Sequence, residues 1–597
     1  MAMSDGIRAA FLIVRLTFRA DPWRAAWLVL RSPVAMCSLL GTAVGVKQLT
    51  DGVVAKDWPA VGGAVAILVA MLVLATLASA GSLALRAMVI EKSTLLIDRL
   101  LMEAALAVPG LAHYETPKHR DQLELLRINR GELGEVIDSV SHNVGIVLLT
   151  LGSVGLLARV NPYLALLPLA GLPSLWAVPQ GMRWSVRAQE QSIEKVRAAD
   201  HLFQVATSAA AGKEVRLFSL GETLLTRHQS LWEQADDEQN RAVWRGFWLA
   251  AGGWQIFSLA YVAAIALVAV QAVDGHASAG QVLMTVQLAA GINRFVMGIV
   301  FMSGWLFGQI KTAGRVVWLM DYATSSRPVP SEPADVPLTL RKGIALEHVT
   351  FRYPDTDADV LSDVNVHIPA GSTVAVVGEN GAGKSTLIKL LARFYEPTEG
   401  RITVEDIDLR RFEPASWRSR WGAGFQDFVR FELLAGETVG VGDLARIAEE
   451  TAIESALTRA AARDVVASLP SGTSTPLGRS FDDGAELSGG QWQKLALGRA
   501  MMREGPLVLV LDEPTASLDA TTEHELFTRY AETAGRVARE TGAITVLVSH
   551  RFSTVRMADL VLVIDSGRLI EAGSHETLIR QDGLYAELYG LQARAYR

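Results

Sequence analysis

Cysteine is all but missing. Cys37 is the only one in 597 residues, which excludes an intrachain disulfide framework and any cysteine-clustered metal site. Charge is scarce as well, at 20% Asp, Glu, Lys and Arg against 50% hydrophobic residues. That balance is too apolar for an ordinary soluble chain and far from that of a disordered one. Nor is there an excess of basic side chains: 56 Lys and Arg face 63 Asp and Glu, leaving a formal net charge of −7, so no overall basic surface offers itself to DNA or RNA. What remains is a chain long enough for about four folding units at roughly 150 residues each, part of which belongs in lipid.

The apolar excess lies ahead of about residue 320. Four runs there carry no Asp, Glu, Lys or Arg: Trp58 to Leu85, Ser139 to Ala158, Val160 to Met182 and Gly246 to Val273. Each has the roughly 20 residues that a spanning helix needs. Two further runs are interrupted, Ser32 to Val53 by Lys47 and Asp51, and Ala277 to Ile310 by Arg294. The reading is six spans. Arg8, Arg15, Arg19, Arg24 and Arg31 precede the first, and the long connections at about 86–135 and 183–245 are also rich in Arg and Lys, which places those connections and both chain ends on the cytoplasmic side. Ile7 to Phe18 is an Arg-studded amphipathic stretch, read as an interfacial helix and not as a cleavable signal. No accessory domain is read ahead of the first span, so a built-in peptidase or siderophore-reducing module is not expected.

Both long connections keep helix-period apolar positions without Gly/Pro clusters, so the spans are expected to continue as cytoplasmic stalks. Thr324 to Lys342 contains four prolines among small polar residues and reads as a linker. The expected organisation is a membrane domain over 1–323, a linker over 324–342 and a soluble α/β domain over 343–597. On the stalks, the pairs His113/His119 and Asp236/Asp237 are taken as solvated helix faces, not metal ligands. Trp23, Trp27, Trp58, Trp184, Trp244 and Trp305 are read as interface anchors.

Ser372 to Ala392 reads STVAVVGENGAGKSTLIKLLA: a β-branched strand, a glycine loop, then a helix-forming run. Gly378, Gly381 and Gly383, with Asn380 between them, let the backbone curl so that its N–H groups face phosphate oxygens at a helix N-terminus. Lys384 is placed to neutralise the β- and γ-phosphates, and Ser385, followed by Thr386, to ligate Mg²⁺ through its hydroxyl. A second apolar strand, Leu507 to Leu511, ends in Asp512 and Glu513, at the edge where parallel sheets hold ligands. There Asp512 suits Mg²⁺, and Glu513 suits polarisation of a water attacking the γ-phosphate.

Between the two lies Leu487-Ser488-Gly489-Gly490-Gln491. With this motif in order, the segment from Gly343 to Tyr589 resembles the nucleotide-binding domain of ABC transporters, and the six-span region is similar to the membrane domain of their exporter-type half-transporters. The fold class implied is an all-α membrane domain joined to an α/β phosphate-loop domain of ABC type. The same resemblance makes Tyr353 the aromatic that stacks on adenine. It makes Gln426 the residue that senses Mg²⁺ and the attacking water, Asp519 part of the loop that crosses to a partner domain, and His550 the γ-phosphate switch. Ser488, Gly489, Gly490 and Gln491 are implied to bind a nucleotide held by another copy's Lys384, so that two chains complete each site. ATP and Mg²⁺ are the implied cofactors, and a homodimer or a pairing with a related half-transporter is the implied assembly.

Two departures are visible. Asp482-Asp483-Gly484 stands where many exporters have Glu-Arg-Gly. Trp492 follows the signature where a basic residue is common, a variation that resembles bacterial peptide-type and natural-product exporters. His113 to Leu126 and Lys213 to Phe218 resemble the intracellular loops that dock near Gln426. Arg294, a charge inside an apolar span, is expected to face protein or a water-filled cavity on the substrate path. The expected activity is ATP-driven export of a peptide or amphiphilic small molecule. Alternatives are import through an exporter-type fold, with siderophore-like cargo, or a membrane-anchored sensor ATPase.

Overall fold

The computed structural model describes residues 3–80, 82–208, 211–326, 332–513, 535–549 and 555–595. The chain divides into two compact units, one of 1–105 and 122–321, the other of 106–121 and 322–597.

The first unit is helical. Met3–Ala20 buries Ala9, Ile13 and Leu16 against Ile97, Leu133 and Val316. Asp21 then caps Pro22–Ala55 by accepting from the Arg24 N–H, with proline at the first helical position, where its missing N–H costs nothing. Trp58–Ser79 repeats the device with Asp57 and Pro59. Among the described residues five helical stretches are long and apolar enough to cross a membrane: 22–55, 58–107, 117–160, 162–189 and 221–273. The sixth run falls on the helix Ala279–Ser325, apolar over Ala279–Ile292. The side chains at 293–297, Arg294 included, lie outside the described residues. The first span starts ten residues earlier than the sequence suggests, because Arg24 and Arg31 are offset by Asp21 and Asp138 rather than stopping the helix.

Outward faces of these helices are apolar, Leu72 and Leu259 being 63% and 70% exposed, which lipid tolerates and water does not. Inward contacts use small residues that bring backbones together. A Cβ added at Gly181 would sit 2.8 Å from the Gly246 Cα, so Leu172–Thr207 and Gly221–Val273 cross there backbone on backbone.

The second unit is α/β. Its central sheet runs β10-β9-β3-β8-β7-β6, where β3 is Thr373–Val377, β6 Trp421–Gly424, β7 Val508–Asp512, β8 Ile544–Val548, β9 Leu560–Asp565 and β10 Arg568–Gly573. All neighbours are parallel except the β9/β10 hairpin. A second, antiparallel sheet runs β2-β1-β4-β5, with β1 Gly343–Phe351, β2 Leu361–Pro369, β4 Glu399–Val404 and β5 Ile407–Asp408. β3 and β8 are almost wholly apolar and buried, as strands covered on both faces must be. Trp417 fills the core between the sheets, stacked on Phe412, and its indole N–H donates to the Leu391 carbonyl at 2.9 Å.

The described end of the linker, 332–342, is not free. Ala334 N–H donates to Arg411 O, Leu340 N–H to Thr541 O, and the Glu405 carboxylate accepts from the backbone N–H groups of Arg341, Lys342 and Gly343. Proline-rich composition signals the absence of helix and strand; it does not preclude pinning by side chains far along the chain.

Candidate functional site

Register fixes where the chemistry gathers. In β3, Val376 lies level with Val548 of β8, and Val548 lies level with Asp512 of β7. The loop that begins at Gly378 and the acids that close β7 therefore leave the sheet at one edge, their carboxyl ends side by side.

Gly378 follows β3 at φ +154°, and a Cβ there would stand 2.1 Å from the Ile564 carbonyl oxygen. Gly383 caps the next helix at φ +107°, with room for a Cβ denied by Leu361. Only glycine meets both demands. Lys384 opens the helix Lys384–Leu391, and its ammonium donates to the Gly378 and Glu379 carbonyls at 2.8 Å each, drawing the loop closed beneath it. Burial lowers the Lys384 pKa, against the opposing pull of Glu513 and Asp512. Asn380, Gly381 and Ser385 are exposed along the loop, while Thr386 is buried.

Asp512 is pushed up to about 6 by burial, then by the Glu513 and Asp427 carboxylates, with Lys384 pulling the other way. Glu513 turns at φ +47°, a left-handed backbone that costs a non-glycine residue about 1–2 kcal/mol. Its N–H donates to Val548 O and its carbonyl accepts from the Gln493 amide at 3.3 Å. The strained turn aims the side chain at Gln426, whose amide donates to the Glu513 carboxylate at 2.8 Å. Lys384, Asp512, Glu513 and Gln426 are thus brought together. A cavity of about 590 Å³ runs from Ser385, Gln426 and Asp512 to Leu111 and Glu115.

The donor set suits Mg²⁺. Among the described residues no three His, Cys, Asp or Glu side chains group as a self-sufficient metal site. One under-compensated carboxylate and one exposed hydroxyl are what a magnesium ion shared with phosphates requires.

Tyr353 is half-buried, edge-on to Phe351 and Tyr395. Its hydroxyl lies 3.1 Å from that of Thr386, and Lys389 Nζ sits 5.4 Å from its ring centre. Ser488 and Gln491 form a capping box: Ser488 Oγ accepts from the Gln491 N–H, and Gln491 Oε1 accepts from the Ser488 N–H. They hold open the N-terminus of Gly489–Ala500, whose first glycines present backbone N–H groups without side chains in the way. Trp492 is buried in the core beside Leu495, so the place of the usual basic residue is occupied by packing. Asp519 and His550 lie outside the described residues.

Residues missed by sequence reasoning surround the site. Gln493 ties the signature helix to the turn at Glu513. Glu115, within 106–121, accepts from Lys389 at 2.7 Å and from the Tyr395 hydroxyl at 2.5 Å, and burial together with Glu115 raises the Tyr395 pKa. Lys389 lies one turn beyond Ser385 on the phosphate-loop helix. The solvated reading of His113 is overturned: it is 1% exposed, between Tyr114 and Tyr322, and burial lowers its pKa. Asp236 and Asp237 are exposed.

A glycine cradle with its lysine, paired carboxylates at the adjoining strand end and a capped serine–glycine helix define a phosphate-loop nucleotide domain, here in a chain of membrane-length helices. Residues 361–516 match the family model described as ABC transporter. The ATP-dependent lipid A-core flippase of Albidiferax ferrireducens is 31% identical over 447 residues, 74% of this chain and 73% of that one. The flippase of the same description from Chromohalobacter salexigens is 39% identical over 266 residues, 44% of each chain. The chain belongs to the ABC transporter family. A solved structure described as a bacterial Atm1-family ABC exporter with ATP bound shares the fold, with TM-score 0.75 at 23% identity over 96% of this chain and 98% of that one. The architecture is that of an exporter-type half-transporter, and the protein is multi-pass. The chain spans less than half the length of several relatives it matches.

Proposed function

We propose that this chain is an ATP-driven exporter of an amphiphilic molecule, working as a homodimer in the inner membrane with both termini cytoplasmic. The observation that carries the reading is the hydrogen bond between Gln426 and Glu513 at the edge where Lys384 and Asp512 converge.

Each residue has a part. The backbone of Gly378–Gly383 and the Lys384 ammonium bind the β- and γ-phosphates, and Tyr353 stacks the adenine. Mg²⁺, held by Ser385, Asp512 and through Gln426, supplies neutralisation of phosphate charge. Glu513 accepts a proton from the attacking water, and Gln426 orients the carboxylate and the water; Asp519 takes the family's role in the crossing to the partner domain, and His550 that of the γ-phosphate switch. The open helix N-terminus at Ser488–Gln491 serves the triphosphate of a second copy, so that nucleotide joins the two domains and hydrolysis parts them. Named relatives that act on lipid A-core favour an amphiphile over a peptide as cargo. Arg294 is assigned to the cargo path.

Reconstitution tests this. Inside-out vesicles should accumulate labelled amphiphile in their lumen with MgATP, and Glu513→Gln should abolish it. Accumulation only in right-side-out vesicles would make the protein an importer, and turnover without movement of cargo a sensor.

A further inference from the structure

Where Leu172–Thr207 and Gly221–Val273 leave the Gly181·Gly246 crossing, they part to form a groove of about 480 Å³. Its position relative to lipid follows from charge: Arg183 is the first charged residue after the run ending at Met182, and Arg245 the last before the run opening at Gly246. Buried Ala188 and Ala242 form the floor, and Arg187, Arg241 and Arg245, with Trp184, the walls. Among the described residues none of these three arginines has an ion-pair partner. The carboxylate in the groove, Glu238, is already matched by Lys195 at 2.6 Å, and with the Gln239–Ser192 bond it closes the far end. The positive-inside rule alone calls for arginines at this depth but not for their convergence. Here two helices, each using i, i+3, i+4 and i+7 positions, turn three unmatched guanidinium groups into one trough. Exposed Trp244, Phe247 and Trp248, packed edge to face, flank it at the level suited to headgroups.

We propose that this groove binds the phosphorylated head of an anionic amphiphile from the cytoplasmic leaflet, with its chains lying along the apolar helices beyond Gly181 and Gly246. Guanidinium forks match phosphate oxygens in pairs, and among the described residues Arg187, Arg241 and Arg245 outnumber the one carboxylate that lines the trough, Glu238. The proposal rests on the transport reading for the side of the membrane and narrows the cargo to acidic amphiphiles.

The test is native mass spectrometry of the full-length protein, without nucleotide, exchanged between phosphatidylglycerol and phosphatidylcholine. Wild type should retain phosphatidylglycerol preferentially, and less so as salt rises. Each Arg→Gln change should weaken retention roughly fivefold, and R187Q/R241Q/R245Q on the order of a hundredfold. The triple lysine variant, which keeps charge but not the forks, guards against misfolding and should fall between. Equal retention of both lipids, undiminished retention by the triple glutamine variant, displacement by millimolar inorganic phosphate, or loss of dimer with lipid retention intact would each overturn the proposal. Because no hydrolysis is involved, failure here leaves the ATPase reading standing, and failure of wild-type ATPase leaves this result intact.

Discussion

Replacing Asp512 by asparagine should stabilise the nucleotide-free protein while disabling it. The Asp512 carboxyl is raised from its ordinary 3.8 to about 6, which corresponds to about 3 kcal/mol of strain in the ionised folded state. The group is only part-buried, so solvent screening reduces this to about 1–2 kcal/mol. The sign follows from proton linkage. Between 3.8 and about 6 the folded state binds more protons than the unfolded one, so stability falls as pH rises through that window, and the full penalty stands above it. Asparagine, nearly the same shape, removes the charge. In thermal unfolding of the full chain in detergent, Asp512→Asn should raise the midpoint of the second unit by a few degrees at about pH 7.5, by about half as much near pH 5, and by only about a fifth as much near pH 4. Added MgATP should stabilise wild type more than the variant, since the missing carboxylate is the one that needs a cation. A variant less stable than wild type at neutral pH, or an advantage that grows on acidification, would refute the reasoning.

Glu513→Gln should keep nucleotide binding and lower hydrolysis about a hundredfold or more; single-turnover kinetics near the wild-type rate would remove Glu513 from the chemistry. Gly378→Ala forces a Cβ against the Ile564 carbonyl at 2.1 Å and should cost about 2–4 kcal/mol, read as lost fluorescent-nucleotide binding and a lower unfolding midpoint. Glu115→Ala leaves Lys389 and the Tyr395 hydroxyl without their shared acceptor. With both ion-pair partners about a third exposed, the loss should be about 1 kcal/mol, seen as faster proteolysis within 106–121.

The nucleotide chemistry was legible because it is local. Gly378 to Thr386 needs only nine consecutive residues to specify a strand exit, a cradle and a helix start, and Asp512-Glu513 follows from a strand ending in acids. Residues acting across long separations were not legible. Nothing near Glu115 announces Lys389, and Gln493 reads as an ordinary helix position until the Glu513 carbonyl is seen beside it. His113 misled for the same reason: a polar segment suggests water, but Tyr114 and Tyr322 cover it. Four of the expected spans announced themselves as charge-free runs, whereas the start of the first was hidden because Arg24 and Arg31 find carboxylates.

The excursion of 106–121 into the second unit gives that unit a discontinuous ancestry along the chain. A fragment cut from residue 324 onward, the natural choice for a soluble preparation, would be born with a scar: the surface of Phe394 against which Gly110 fits, and the Lys389 ammonium that Glu115 receives, would both face water. Biochemistry on such a fragment would describe an incomplete body, and restoring the sixteen-residue insert as a peptide should heal it.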